Sequence, residues 1–155
     1  MATCVPIDET FFADAPLRFE QSWTVPVSAE EFWPDFVERP LHWCRGLKLR
    51  WTSAKPFGVG TTRHVGVLGL IQADEHFFLW EEGKRFAFHF THVNLPVFKR
   101  FGEYYEIDPI DDRSCRLTWK LAVEPTPIGN AMTPGNKLLI ASLFRDTTRY
   151  LKQLG

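Results

Sequence analysis

Between Leu17 and Val25 the side chains alternate. Leu17, Phe19, Gln21, Trp23 and Val25 fall on one face and Arg18, Glu20, Ser22 and Thr24 on the other. A period of two with one apolar face predicts a strand. Ser28 followed by Glu31 has the spacing of a capping box, and Phe32, Trp33, Phe36 and Val37 supply the apolar side of a helix behind it. Pro34 and Pro40 are expected to keep this region short or broken. Leu47, Leu49 and Trp51 then alternate with Lys48, Arg50 and Thr52, which predicts another strand. From Gly58 to Val123 the pattern is a meander of strands. It is punctuated at Gly69-Leu70, at Glu82-Gly83, at a bend over Asn94–Pro96 and at a turn over Pro109–Ser114.

Thr133 and Pro134 form an N-cap followed by proline at the first helical position. Behind them Leu139, Ile140, Leu143, Phe144, Thr147, Leu151 and Leu154 recur at steps of three and four, one amphipathic helix of about five turns. A twisted sheet with one apolar face must cover that face, and only this helix is long enough. The expected fold is therefore α+β: a curved antiparallel sheet of about seven strands wrapped around a long C-terminal helix, with two short helices after the first strand. No repeat or linker divides the chain, so residues 17–155 are expected to form one domain behind an irregular extension, residues 1–16.

Composition narrows the function. The chain has 155 residues and a net charge of −1, which leaves no electrostatic footprint for nucleic acid. There is no run of 18 apolar residues, so no membrane span is expected. The opening MATCVPIDET has neither the basic nor the apolar segment of a signal peptide, and a cytoplasmic location is expected. Cys4, Cys44 and Cys115 are widely spaced and odd in number, which suits reduced thiols rather than a metal site. With 14 Phe, 6 Trp and 3 Tyr the chain has more ring surface than closing a core requires, which suits a wall around an apolar guest.

Several segments together resemble the START-like, helix-grip superfamily known as SRPBCC, in its polyketide cyclase/dehydrase branch. These are VSAEEFW from Val27 to Trp33, GVGTTR from Gly58 to Arg63, EHFFLW from Glu75 to Trp80 with KRFAF from Lys84 to Phe88, and RLTW from Arg116 to Trp119. The likeness spans about residues 17–154. It implies the helix-grip fold and a small apolar molecule held inside. The superfamily holds lipid carriers, hormone receptors and aromatase/cyclases and has no universal catalytic residues, so none is transferred to this chain.

Strand phase follows from the turns. A two-residue hairpin at Gly69-Leu70 pairs Leu68 with Ile71, Gly66 with Ala73 and His64 with Glu75. A two-residue turn at Glu82-Gly83 pairs Leu79 with Phe86, Phe77 with Phe88 and Glu75 with Phe90, and sets Ala73 against His92. Leu68, Ile71, Phe77, Leu79, Phe86, Phe88 and Phe90 then share the inner face. Arg63, Asp74, His76, His89, Phe78 and Trp80 take the outer one. A third residue in either turn reverses the phase.

Under this register His64, Glu75 and His92 are polar groups on an apolar wall. His64 and Glu75 form either an acid–base pair for enolisation or cyclisation, or a structural pair that satisfies two buried polar groups. Phe77, Phe88, Phe90, Trp119 and Phe144 are the expected ligand contacts, with Glu103 and Tyr105 at the polar end of the ligand. His89 and His92, three apart on a strand, are expected on opposite faces and so hold no common metal. The Gly58–Gly60 stretch lacks the lysine and helix of a phosphate loop, and no cofactor is expected. Lys137, Arg145, Asp146, Arg149 and Lys152 are a solvated helix face.

Three functions remain open. One is a module that carries, stores or senses a small hydrophobic molecule such as a lipid, polyketide or steroid-like compound. Another is a cyclase, dehydratase or isomerase that uses cavity His and Glu groups without metal or nucleotide. The third is a partner-binding domain like the superfamily's co-chaperones; for it, or for a homodimer, Phe78 and Trp80 on the outer face supply the surface.

Overall fold

The computed structural model describes residues 1–154. Its elements in chain order are β1 (Ala2–Thr3), α1 (Phe11–Asp14), β2 (Leu17–Val25), α2 (Ala29–Glu38), β3 (Leu47–Trp51), β4 (Thr62–Val67), β5 (Ile71–Glu81), β6 (Arg85–Val93), β7 (Phe98–Asp111), β8 (Ser114–Pro125), α3 (Pro127–Ala131) and α4 (Thr133–Lys152). Seven strands form an antiparallel sheet in the order β2-β8-β7-β6-β5-β4-β3, and β1 adds to β6. Helix α4 covers the concave side and buries Ile140, Leu143, Thr147 and Leu151. This is the helix-grip arrangement that the periodicities predict. No helix among the described residues is long and apolar enough to cross a membrane.

The local signals explain most boundaries. The Ser28 hydroxyl accepts from the Glu31 amide at 3.2 Å and starts α2. That helix runs through Pro34 and ends before Pro40, where the chain continues in turns rather than in a second helix. The Thr-Pro signal occurs twice. Thr126 caps the one-turn α3 through its hydroxyl on the Gly129 amide, with Pro127 at the first position. Thr133 then lies inside α4 rather than capping it. Thr147 is the one polar residue on α4's buried face. Its hydroxyl donates to the Leu143 carbonyl at 2.9 Å and accepts from the Trp43 indole at 2.8 Å.

The expected register fails at both turns, and the two failures differ. Between β4 and β5 three residues form the turn, Leu68, Gly69 and Leu70, with Leu68 at φ 54 and Gly69 at φ 70. The pairs become Arg63 with Glu75, His64 with Asp74, and Val65 with Ala73. All of β4 is therefore reversed: Arg63, Val65 and Val67 face inward, and His64 and Gly66 outward. Leu68, expected inside, is exposed.

The β5–β6 turn also holds three residues, Glu82, Gly83 and Lys84, but a bulge at Phe78 inserts a second extra residue. Beyond it the expected pairs return, Phe77 with Phe88 and Glu75 with Phe90. Before it the faces exchange. Leu79 points outward and Trp80 inward, where Trp80 meets Trp33, Trp51, Phe77 and Phe86. A second bulge at Thr91 sets Asp74, not Ala73, opposite His92 and turns His92 out to solvent. His89 and His92 consequently share the outer face, contrary to the alternation expected of them. Among the described residues no group of three or more His, Cys, Asp or Glu gathers to hold a metal ion.

The first 16 residues are ordered on the outside of the sheet. β6 and β7 pair only from Arg85 to His89, and β1 fills the gap beyond, where Ala2 and Thr3 pair with Val93 and His92. Ile7 occupies the space above Gly102, where a Cβ would lie 2.2 Å from its Cδ1. Phe12 stacks on Phe78 at 6.4 Å. The outer-face apolar patch expected of Phe78 and Trp80 is therefore absent. One ring is covered by the chain's own extension and the other is in the core.

Candidate functional site

Under α2 the concave side is packed with rings. Phe36 and Trp80 stack on Phe86 at 5.7 and 4.9 Å, and Trp33 lies tilted against it at 5.4 Å. Under the N-terminal half of α4 it is hollow. A cavity of about 90 Å³ is walled by aliphatic side chains of β2, β3, β4, β8 and α4, with Phe19, Phe90, Phe98 and Phe101. Of its half-buried lining residues, Val67, Ile71, Thr133, Asn136 and Leu139 adjoin the exposed Leu68, Leu70, Met132 and Leu138, and we place the mouth at this end.

The floor of the cavity is polar. Arg63 on β4 and Glu75 on β5 are direct cross-strand partners, and Arg63 Nε donates to Glu75 Oε1 at 2.5 Å with side chains only 2% and 1% exposed. The guanidinium lies against Trp51, Phe77 and Phe88, with centroid distances of 4.9, 5.0 and 5.2 Å. Those ring faces favour a buried cation. Among the described residues only Glu75 accepts from Arg63, and only from Nε, so the terminal nitrogens remain free to donate.

Beside this pair stands Glu103 on β7. Tyr105 donates its hydroxyl to Glu103 Oε1 at 2.6 Å, and Trp119 donates its indole N–H to the same oxygen at 2.7 Å. Oε2 has no protein partner and is not sealed off. Protein surrounds Glu103 on every side, and the surface it retains belongs to the cavity rather than to bulk water. Burial pushes its carboxyl up to about 7. The Glu75 charge adds to that, and the Tyr105 and Trp119 hydrogen bonds and Arg63 oppose it. Glu75 is also raised by burial, against the pull of Arg63. Burial and the Glu103 charge hold the Tyr105 hydroxyl well above its ordinary value, so it acts as a fixed donor.

Of the residues singled out in the sequence, the structure brings Glu75, Phe90, Glu103, Tyr105 and Trp119 to the cavity. Phe77 and Phe88 lie one layer deeper, as the ring cushion for Arg63. Phe144 packs edge-on against Trp23 and Trp119, outside the lining. His64 and His92 are on the outer face and do not line the cavity. His64 instead contacts Asp74 Oδ1 at 2.9 Å and Gln72 Oε1 at 2.7 Å. Sequence reasoning missed Arg63 because it set that residue outside. The available signal was its place directly across from Glu75, once a three-residue turn is counted.

The model of the family described as "polyketide cyclase / dehydrase and lipid transport" matches residues 16–154. The chain belongs to this family. Within reach of this polyketide cyclase / dehydrase member is an uncharacterized protein of Mycobacterium tuberculosis, 32% identical over 97% of this chain and 93% of its own length. A START superfamily protein from Mycobacterium smegmatis shares the fold with a TM-score of 0.69 at 16% identity, over 89% of this chain and 99% of the other. An aromatase/cyclase, Zhui from Streptomyces sp. R1128, does so with a TM-score of 0.66 at 11% identity, over 89% of this chain and 90% of the other. Family and fold together indicate a hydrophobic-ligand-binding domain with the START-like fold.

Proposed function

We propose that the domain binds a small, largely apolar molecule that carries an oxygen function, seated against Arg63 and Glu103. One observation carries this reading: free donors on Arg63 and a free acceptor on Glu103 Oε2 open into an otherwise largely apolar hollow. An apolar wall with a few convergent polar groups is how proteins bind and orient small molecules. Arg63 donates to a carbonyl, phenol or carboxylate oxygen, and the aliphatic wall takes the rest of the guest. The hollow of about 90 Å³ is smaller than the ~150 Å³ that accepts a benzene ring. A short-chain guest needs the least adjustment, a one-ring guest needs the lining to give, and a polyketide- or steroid-sized one requires the first turns of α4 to move outward.

Native mass spectrometry of the purified protein tests this directly. A bound apolar compound that is lost in Arg63→Met supports the reading, with affinity reduced roughly tenfold or more for a hydrogen bond to a charged group. Absence of any such compound, together with failure to take up apolar probes, refutes it.

Glu103 favours a second reading, cofactor-free acid–base catalysis. A carboxyl titrating near 7 is matched to proton transfer at neutral pH. For a guest whose carbonyl oxygen lies on Arg63, Oε2 would take a proton from the adjacent carbon. The C–H electron pair would form the C=C bond as the carbonyl π pair moves onto the oxygen, giving an enolate held by Arg63, the first step of a cyclisation or isomerisation. Glu103→Gln keeps the shape and removes the base. Loss of turnover with binding retained identifies a catalyst, and unchanged turnover removes Glu103 from the chemistry.

A further inference from the structure

Six large apolar side chains crowd the end of the molecule where the cavity opens: Leu68, Leu70, Leu95, Ile128, Met132 and Leu138. Their exposure runs from 39% at Met132 to 75% at Leu138. Separate elements carry them, yet hydrogen bonds stitch those elements into one rim. The Asn94 side chain donates to the Leu70 carbonyl at 3.0 Å and accepts from the Gln72 amide at 2.9 Å, which fixes the Leu95 loop to the β4–β5 turn. Thr126 donates to the Pro96 carbonyl at 2.7 Å, which fixes α3 to the same loop. α3 is seated so closely that a Cβ on Gly129 would lie 1.9 Å from the Val97 oxygen. Met132 joins α3 to α4, whose Thr133 and Asn136 line the mouth.

Cations outnumber acids beside this rim. A groove of about 600 Å³ runs from Leu68 and Gly69 along the outer face of β3 and β4 and contains Arg45, Lys48 and Arg50. Among the described residues neither these three nor Lys137 on α4 joins an ion pair. The nearby acids are engaged, Asp74 with His64 and Asp146 with the Arg45 amide. The apolar tips are carried by separate short segments around the opening, the β4–β5 turn, the Leu95 loop, α3 and the start of α4, rather than by one continuous helix or strand face. Apolar tips flanked by unpaired cations complement a bilayer interface with anionic headgroups.

We propose that this rim docks the domain onto anionic lipid bilayers, so that the cavity mouth faces the acyl region and an apolar guest enters or leaves without crossing water. The proposal goes beyond ligand binding and is tested without a ligand. The full chain is spun with vesicles of phosphatidylcholine, with and without phosphatidylglycerol. Binding to the anionic vesicles alone, weakened by salt, is expected. Lys48→Glu with Arg50→Glu should weaken it by roughly tenfold or more. Leu70→Asp with Leu138→Asp should abolish it, with the circular dichroism spectrum unchanged because both sites are exposed. A wild-type chain that stays in solution with either vesicle overturns the proposal, as does binding that both variants retain. If the vesicles are ignored and Leu70→Asp with Leu138→Asp instead splits a dimer, the rim belongs to a second copy and the proposal also fails. Uptake of an apolar probe by the free protein is measured in parallel, so failure to dock is distinct from failure of the cavity.

Discussion

The two ends of the concave face are built from different side chains and do different work. Beneath α2, Trp33, Phe36, Trp51, Phe77, Trp80 and Phe86 interlock with centroids about 5–6 Å apart, a distance range at which rings gain beyond simple burial. Beneath the start of α4, Leu47, Leu49, Val65, Val67, Ile71 and Leu139 are too short to meet across the same gap, and a hollow remains. Arg63, Glu75, Glu103 and Tyr105 form the layer between. The ring-rich end is thus a rigid base that holds a polar floor in place, and the aliphatic end is where a guest fits. Rings serve both ends: they interlock at the closed one, while Phe19, Phe90, Phe98, Phe101, Tyr105 and Trp119 stand in the cavity wall, as the composition suggests.

Opposite responses to volume changes are the sharpest test of this division. Phe86→Ala should destabilise by about 3–5 kcal/mol in chemical denaturation, because neighbours locked on several sides cannot collapse into the space. Val67→Phe at the hollow end should cost less than about 1 kcal/mol, since it fills space instead of displacing atoms, while blocking uptake of apolar probes. Equal costs at both positions would show that the ends do not differ in packing.

The layer between them is tested next. Arg63→Met removes the guanidinium hydrogen-bonded to Glu75, and breaking a buried pair costs about 3–5 kcal/mol. The loss should fall at the lower end at neutral pH, because burial already draws Glu75 toward its protonated form. It should grow as pH rises and ionisation is forced. Adding Glu75→Leu should restore part of it. A double variant no more stable than Arg63→Met would show that the pair's charges are not what matters.

A smaller effect concerns Glu103. Its folded carboxyl titrates at about 7 against an ordinary 4.5, so the folded state binds this proton more tightly than the unfolded chain does. The associated stability is complete below about 4.5 and is lost as pH rises through about 7. Glu103→Gln should flatten that window in thermal unfolding measured across it, while changing stability at the acid end little. A slope unaltered by the substitution would place the titration elsewhere.

The fold was legible because period two and period 3.6 persist through long elements, and each has one apolar face to bury. The site was legible only where errors cancelled. Glu75 was placed inward, opposite Phe90, because the third turn residue at Lys84 and the bulge at Phe78 offset each other in register. Nothing offsets the third residue of the β4–β5 turn. A leucine at positive φ, as Leu68 is, costs steric energy that local sequence gives no reason to expect, so a two-residue turn at Gly69-Leu70 was the natural reading. That one residue moved Arg63 from outside to inside and His64 from inside to outside. The Thr91 bulge, equally silent in sequence, did the same to His92.

His64 therefore provides the smallest effect and the most direct check on the register. In the reversed phase its ring lies on the outer face, 23% exposed, between Asp74 and Gln72. Those two contacts raise its pKa, led by the Asp74 hydrogen bond, so the pair adds stability at low pH that fades as the imidazolium loses its proton. A partly exposed pair of this kind is worth less than about 1 kcal/mol. His64→Ala should accordingly shift the denaturation midpoint only slightly, mostly under acid conditions, and leave ligand affinity or turnover unchanged. Were the two-residue turn correct, the same substitution would instead strip Glu75 of its partner inside the cavity. A large loss of stability or ligand binding in His64→Ala would then restore that register and remove Arg63 from the floor.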